Sequence, residues 1–469
     1  MAKQKMDMLH GSLWDKLILY AFPVAATGIL EQLFNASDLA IVGNFTGDAK
    51  TVCVAAVGAN SPIVGLLLNL FIGIALGANV IIANAIGQKD EATIHKAVHT
   101  SIIMSILGGA LIALIGEIFI GSLMHLMNIP DTVFPYALTY IRIYLLGMPV
   151  ICLYNFEAAI FRSIGETKIP LQALAISGVL NVALNLVFVI VFKMTVNGVA
   201  IATVLSNAIS AIVLFRRLCR TDHVIRIKRT EFKFDAGVAG RILRIGIPAG
   251  IQGAVFAVAN IVIQSAINSL GTIVMAASSA ALNIEIIVYD IMNSFSQACT
   301  TFTGQNYGAG DLKRCKKSLY LCIIEAAVAC AVSIMLILFF GKSLLALFNS
   351  DPRVVEIGYT RLLIIFSAYT FSMLYENMSG YLRGFGLSLV PAILTVFGVC
   401  VVRLVWIYTV FPAHRTFTTI MLVYPLSLAT TAVLIFIALM VYRHQCGIKN
   451  NYKNRDKRGG VSASMRKGQ

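Results

Sequence analysis

Charge is scarce in this chain. Only 13% of its 469 residues are Asp, Glu, Lys or Arg, 58% are hydrophobic, and the mean hydropathy is +0.82. Soluble domains carry about a quarter charged residues, so a polytopic membrane protein is expected instead. The nine cysteines include no C-x-x-C pair and fall mostly inside apolar runs, which argues against a disulfide or zinc framework. His95 and His99 are spaced i, i+4, but no third ligand follows nearby, so no metal site is expected. The opening "MAKQKMDMLHGS" lacks an apolar stretch ending in small residues, so the first hydrophobic run is read as a retained span. Clustered nucleophiles, metal sets and cofactor motifs are missing too. No enzyme is expected, and no cofactor.

What charge there is follows a pattern. The net charge of +15 gathers in 216–234, in 313–317 and in 443–460, between apolar runs and without interleaved aromatics. Nucleic acid is therefore not the expected partner; the bilayer is, with no obligate protein partner evident. Apolar runs long enough to span are centred near residues 28, 68, 108, 146, 180, 206, 255, 288, 327, 368, 400 and 430, which makes twelve. An even number leaves both termini on one face. With that face cytoplasmic, 29 of the 37 Lys and Arg lie inside. Six lie outside (Lys50, Lys193, Lys342, Arg353, Arg361 and Arg415), and Arg142 and Arg403 fall within spans. This asymmetry predicts a plasma-membrane protein with both termini cytoplasmic.

The chain also repeats itself. "AFPVAATGILEQLFN" (21–35) lies over "GIPAGIQGAVFAVAN" (246–260), and "ANAIGQKD" (83–90) over "GQNYGAGD" (304–311). "YNFEAAIFRSIGETKIP" (154–170) lies over "YENMSGYLRGFGLSLVP" (375–391), matching Arg162 to Arg383, Gly165 to Gly386 and Pro170 to Pro391. Six spans return the chain to its starting face, so the repeat is parallel, about an axis along the membrane normal. The expected fold is all-α: twelve transmembrane helices in two six-helix lobes, 1–220 and 241–445. A basic cytoplasmic linker (221–240) joins them, and a basic tail (446–469) follows. Such lobes rock about a site near the midplane. Pro23 and Pro248, inside the first helix of each lobe, are candidate bending points.

Each ionisable residue in mid-bilayer costs about 2.5–3.5 kcal/mol on insertion scales and so needs a reason. In "EQLFNASDLAIVG" (31–43), Glu31, Asn35 and Asp38 share one helix face. Asn181 and Asn185 lie one turn apart, and Thr203 falls in the following span. Carboxylate, amide and hydroxyl oxygens suit a hard monovalent cation, and a desolvated carboxylate also carries protons. Asp38 can therefore hold Na+ or H+; Glu31 can meet a cationic substrate or be a second proton site. The second lobe offers Glu285, Asp290, Glu376 and Arg403, with Glu376 the expected partner of Arg403 because their spans are adjacent.

"DLAIVGNF" ending the first span, "FRSIGETKIP" after the fourth and "NGVAIATVLS" in the sixth resemble the MATE (multidrug and toxic compound extrusion) family over residues 10–445. The resemblance implies export of small organic, often cationic and amphipathic, compounds in exchange for H+ or Na+. It implies a cation site in the first lobe, mapping onto Asp38, Asn181 and Thr203, with Asn185 where relatives carry a second aspartate. NorM-like and eukaryotic members have a glutamate eight residues after the seventh-helix proline; here that place holds Phe256. Its counterpart in the first repeat is Glu31, which is closer to the DinF-like branch. The alternative is a lipid-linked sugar flippase of the same superfamily.

Overall fold

The computed structural model describes residues 6–127, 129–228 and 232–443. All regular structure among them is helical. The first lobe contains α1 (Trp14–Phe45), α2 (Lys50–Gln88), α3 (Glu91–Leu126), α4 (Phe134–Leu146), α5 (Met148–Ser163), α6 (Lys168–Leu186) and α7 (Val196–Arg220). The second contains α8 (Ala236–Asn268), α9 (Thr272–Gly308), α10 (Leu312–Ala346) and α11 (Pro352–Gly384). Its remaining helices are α12 (Leu389–Thr395), α13 (Val402–Thr409) and α14 (Phe417–Met421), the last continuing after a one-residue turn to Arg443. Eleven segments are individually long and apolar enough to span, and α4 with α5 makes the twelfth, bent by 51°. Gly147 and the proline in the first turn of α5 account for that bend. The repeat-equivalent positions in α11 hold Ala368 and Thr370, and that helix continues unbroken through 33 residues.

α2 is 39 residues long, about 58 Å at 1.5 Å per residue, so it projects well beyond a hydrocarbon layer of about 30 Å. The outer faces of α3 and α10 carry a lipid-facing belt that includes Leu111, Ile118, Met335 and Phe339. α1 and α8 run unbroken through Pro23 and Pro248. The linker is shorter than expected, because Asp235 caps α8: its carboxylate accepts from the Val238 amide at 2.9 Å and pairs with Lys96 at 3.2 Å. The basic tail 446–469 lies outside the described residues.

Several repeated residues have backbone reasons to be there. Asp90 and Asp311 cap α3 and α10, accepting from the amides of Thr93 and Arg314. Gly165 and Gly386 sit at φ +85° and +81°, left-handed turns that end α5 and α11. Gly87 and Gly308 let α2 and α9 cross backbone on backbone: a Cβ on Gly87 would strike the Gln305 carbonyl, and one on Gly308 the Asn84 carbonyl. Those neighbours are themselves repeat-related. The Gln305 amide donates to the Ser163 carbonyl of the other lobe at 2.7 Å, and the Asn84 amide to the Gly384 carbonyl at 3.4 Å. Two lobes thus clasp one another twice, by the same contact in each direction.

Above the clasp, Gly73 and Gly77 on α2 meet Gly250 and Gly246 on α8 with no space for a side chain. A substitution at Gly87 should separate clasp from generic helix effects. Gly87→Val is expected to lower the detergent unfolding midpoint by the equivalent of about 1–3 kcal/mol through overpacking. Gly58→Val, on the same helix with no atom within 4 Å of an added Cβ, should leave it nearly unchanged.

Candidate functional site

Asp38 lies two turns before the end of α1, where that helix packs on α6 and α7, and is 7% exposed. The Asn185 amide donates both to Asp38 Oδ1 and, at 3.2 Å, to Asn181 Oδ1. The Thr203 hydroxyl faces Asp38 Oδ2 at 3.2 Å and the Val199 carbonyl at 2.9 Å, so one proton is shared between two acceptors. The Asn181 amide reaches the Thr203 oxygen at 3.5 Å. All four residues expected from sequence meet at one point inside the first lobe.

The cluster is rich in acceptors and poor in donors. A carboxylate offers about four lone-pair sites, and here it has one amide donor and part of a hydroxyl. Asn185 Oδ1 is also buried without a partner. Asp38 has no ion pair among the described residues, in contrast to Glu285 below. A buried carboxylate in this condition is stabilised by a proton or a small cation.

The other expected residues scatter. Glu31 and Asn35 are exposed and take no part in the Asp38 cluster. Asp290, on α9, packs against α1, where a Cβ on Gly28 would lie 2.7 Å from its Cγ. Glu285 is held by Arg361 in a two-pronged pair at 2.6 and 3.0 Å, with Ser278 as a further acceptor. This corrects the placement of Arg361 in an outer loop: α11 already starts at Pro352, so Arg361 enters two turns deep and is 2% exposed.

The expected Glu376–Arg403 pair does not form. Arg403 donates to Ser427 and Asn260 at 3.1 and 3.2 Å and stacks on the Tyr424 ring at 4.3 Å. Depth is the reason. Counting from the turn between α11 and α12, Glu376 lies about 12 Å along its helix and Arg403 about 21 Å along the next.

A cavity of about 350 Å³ separates the lobes near the clasp. Its polar lining includes Asn155, Arg162, Gln252, Gln297, Glu376 and Arg383, and Phe256, Tyr289 and Tyr375 are among the apolar surfaces. Sequence reading matched Arg162 to Arg383 but counted both among the inner-face charges outside the spans, whereas each is the penultimate residue of its helix. Their spacing of seven from Asn155 and Glu376 is the signal that would have put them on one face.

The MatE family model matches residues 23–187 and again 248–409, one match per lobe. The chain belongs to the MATE family. This MATE protein is 28% identical over 396 residues to "Probable multidrug resistance protein YoeA" of Bacillus subtilis, covering 83% of this chain and 85% of that one. It is 26% identical over 407 residues to "Probable multidrug resistance protein NorM" of Thermotoga maritima, covering 83% and 84%. Its fold superposes with a TM-score of 0.86 on the outward-facing conformation of a multidrug resistance MATE family transporter of the MOP superfamily, at 21% identity and covering 94% and 98%. It is thus a multi-pass membrane transporter of small molecules, and not an enzyme.

Glu285 gives this MATE protein a stability test. Glu285→Gln should cost about 3–5 kcal/mol in unfolding free energy, because it strands a buried guanidinium. The double variant Glu285→Met with Arg361→Met should recover most of that loss, read by denaturant unfolding in detergent.

Proposed function

We propose that this chain is an ion-coupled exporter of small organic compounds that works by alternating access in the plasma membrane. The observation that carries the reading is the Asp38 cluster, whose one carboxylate faces amide and hydroxyl groups and no cation. H+ or Na+ is the coupling ion, with Asp38, Asn181, Asn185 and Thr203 its ligands. Loading Asp38 favours one arrangement of the lobes and substrate the other, so the two sites are linked through the lobe equilibrium. The relatives named as multidrug resistance proteins support export as the direction.

Both termini lie in the cytoplasm in this reading, by the excess of Lys and Arg on that face. The clasp shares the face of the N-terminal segment, since Asn306 and Arg314 both donate to the Met8 carbonyl. The arrangement described here is then the one closed to the cytoplasm. A cationic amphipathic cargo, implied by resemblance, finds Glu376 as its only carboxylate in the cavity lining. The flippase alternative draws support from Arg162 and Arg383 in the same lining. A volume of about 350 Å³ suits a small solute better than a lipid-linked sugar.

The test is uptake of cationic and anionic dyes into inverted or reconstituted vesicles, with a pH gradient and a Na+ gradient imposed separately. One gradient should drive uptake. Asp38→Asn, which keeps the shape and loses the charge, should lower driven uptake at least about tenfold at equal protein, a loss of about 1.4 kcal/mol of coupling or more. Unchanged uphill transport by Asp38→Asn would sink the proposal.

A further inference from the structure

Helices α5 and α11 present one polar pattern to the central cavity from opposite lobes. On α5 the residues are Asn155 and Arg162; on α11 the repeat-equivalent positions hold Glu376 and Arg383. Seven residues make nearly two full turns, so each pair shares a face and is spread over about 10.5 Å of helix axis. Arg162 and Arg383 immediately precede the clasp acceptors Ser163 and Gly384, which puts both guanidiniums at the clasp end of the cavity. The amide of Asn155 and the carboxylate of Glu376 lie further along.

Neither guanidinium is ion-paired among the described residues. Arg162 donates to the Gln297 oxygen at 3.2 Å and Arg383 to the Gln252 oxygen at 2.9 Å; Arg383 Nε is buried with no partner. Arg361, by contrast, is fully engaged by Glu285 away from the cavity. A third guanidinium, Arg403, stands behind the wall, bonded to the lining residue Asn260 and 5.4 Å from the ring of Phe256. Against these three the lining carries one carboxylate, Glu376; Glu31 and Asp290 lie outside it, Glu31 within electrostatic reach of Arg162 but not paired with it. Glutamine oxygens satisfy a guanidinium only in part. Carboxylate and phosphate match its planar fork with two parallel, charge-assisted bonds.

We propose that the central cavity binds a soluble organic anion, whose carboxylate or phosphate group docks against Arg162 and Arg383 while its other polar groups reach Glu376 and the surrounding amides. This rests on the exporter reading for what becomes of the bound compound, but not for the charge of the site. Two symmetric positive groups on opposite lobes also give the anion a mechanical role: it bridges α5 and α11 where the lobes clasp.

The test measures cavity charge without a gradient or transport. A thiol is placed in the lining by Asn155→Cys, with the otherwise unchanged chain as background for the native cysteines. Its rate of reaction with an anionic methanethiosulfonate (sulfonatoethyl) is compared with that of a cationic one (trimethylammonioethyl), each normalised to a free thiol. The anionic reagent should be favoured by about tenfold, the lower end of electrostatic focusing in a charged cleft. Adding Arg162→Gln and Arg383→Gln should abolish the preference, and Arg162→Lys with Arg383→Lys should restore it. A preference for the cationic reagent, or one indifferent to both arginines, would overturn the proposal.

Carboxyfluorescein, a soluble anion, should then slow the labelling, and ethidium should not. Protection by ethidium alone, by a short-chain phosphatidic acid alone, or by neither class of anion would overturn it as well. Asp38→Asn shifts the lobe equilibrium and with it the absolute labelling rates, but it leaves the ratio of anionic to cationic reagent unchanged, so failure here and failure of ion coupling are told apart.

Discussion

Everything distinctive in this molecule hangs on a backbone contact that only glycine permits. Gly87 lies on the Gln305 carbonyl and Gly308 on the Asn84 carbonyl, and the side chains of those two partners close the buried ends of α5 and α11 in the opposite lobe. Helix ends leave carbonyls unsatisfied, and in a membrane protein such groups need partners inside the fold. Closing them across the lobe boundary makes the boundary itself part of the hydrogen-bond inventory. It also determines where the central cavity ends, because Arg162 and Arg383 are the residues next to the clasped carbonyls.

Among the buried and half-buried charges that have partners two kinds are distinct, while Glu157 and Glu325, buried with neither carboxylate oxygen bonded among the described residues, belong to neither. Arg361 and Glu285 neutralise each other at contact distance and have no further electrostatic demand. Asp38, Arg162, Arg383 and Arg403 are each held by neutral amides, hydroxyls or aromatic rings. A neutral partner positions a charge without cancelling it. The first kind fastens α9 to α11 inside one lobe; the second is the kind that the proposed ion and solute sites require, inside the first lobe at Asp38 and between the lobes at the arginines.

The sequence made the twelve spans and the parallel repeat legible, because each depends on period or length, whereas Asp38, Asn181, Asn185 and Thr203 were gathered into one site by the resemblance to the MATE family. Asn181 and Asn185 one turn apart must share a face, and six spans must return the chain to its starting side. Depth was not legible in the same way. Arg361 was read as a loop residue because its apolar window starts late, yet Pro352 begins the helix well before it. Arg403 and Glu376 occupy neighbouring spans at different heights, which adjacency in sequence does not encode. The bend between α4 and α5 was written in Gly147 and Pro149, but only the absence of both from α11 marks it as particular to one lobe.

α1 ties these observations together, because it does not belong to one lobe. Leu17, Tyr20 and Val24 pack into the second lobe with Phe302, Leu319 and Tyr375, and the Tyr20 hydroxyl bonds Thr301 at 2.8 Å. Two turns beyond its middle, the same helix delivers Asp38 to Asn185 and Thr203 of the first lobe. Pro23 sits in the stretch held by the second lobe, which reaches on to Gly28 against Asp290, and it withholds one backbone hydrogen bond there. In the proposed rocking of the lobes, α1 must either bend near Pro23 or have one of its halves pulled out of its packing. A change of charge at Asp38 alters how firmly the far half is held, and so weighs on which of the two occurs. Coupling between ion and cargo needs an element that touches both lobes and carries a titratable or cation-binding group on one of them. α1 meets both requirements within a single helix.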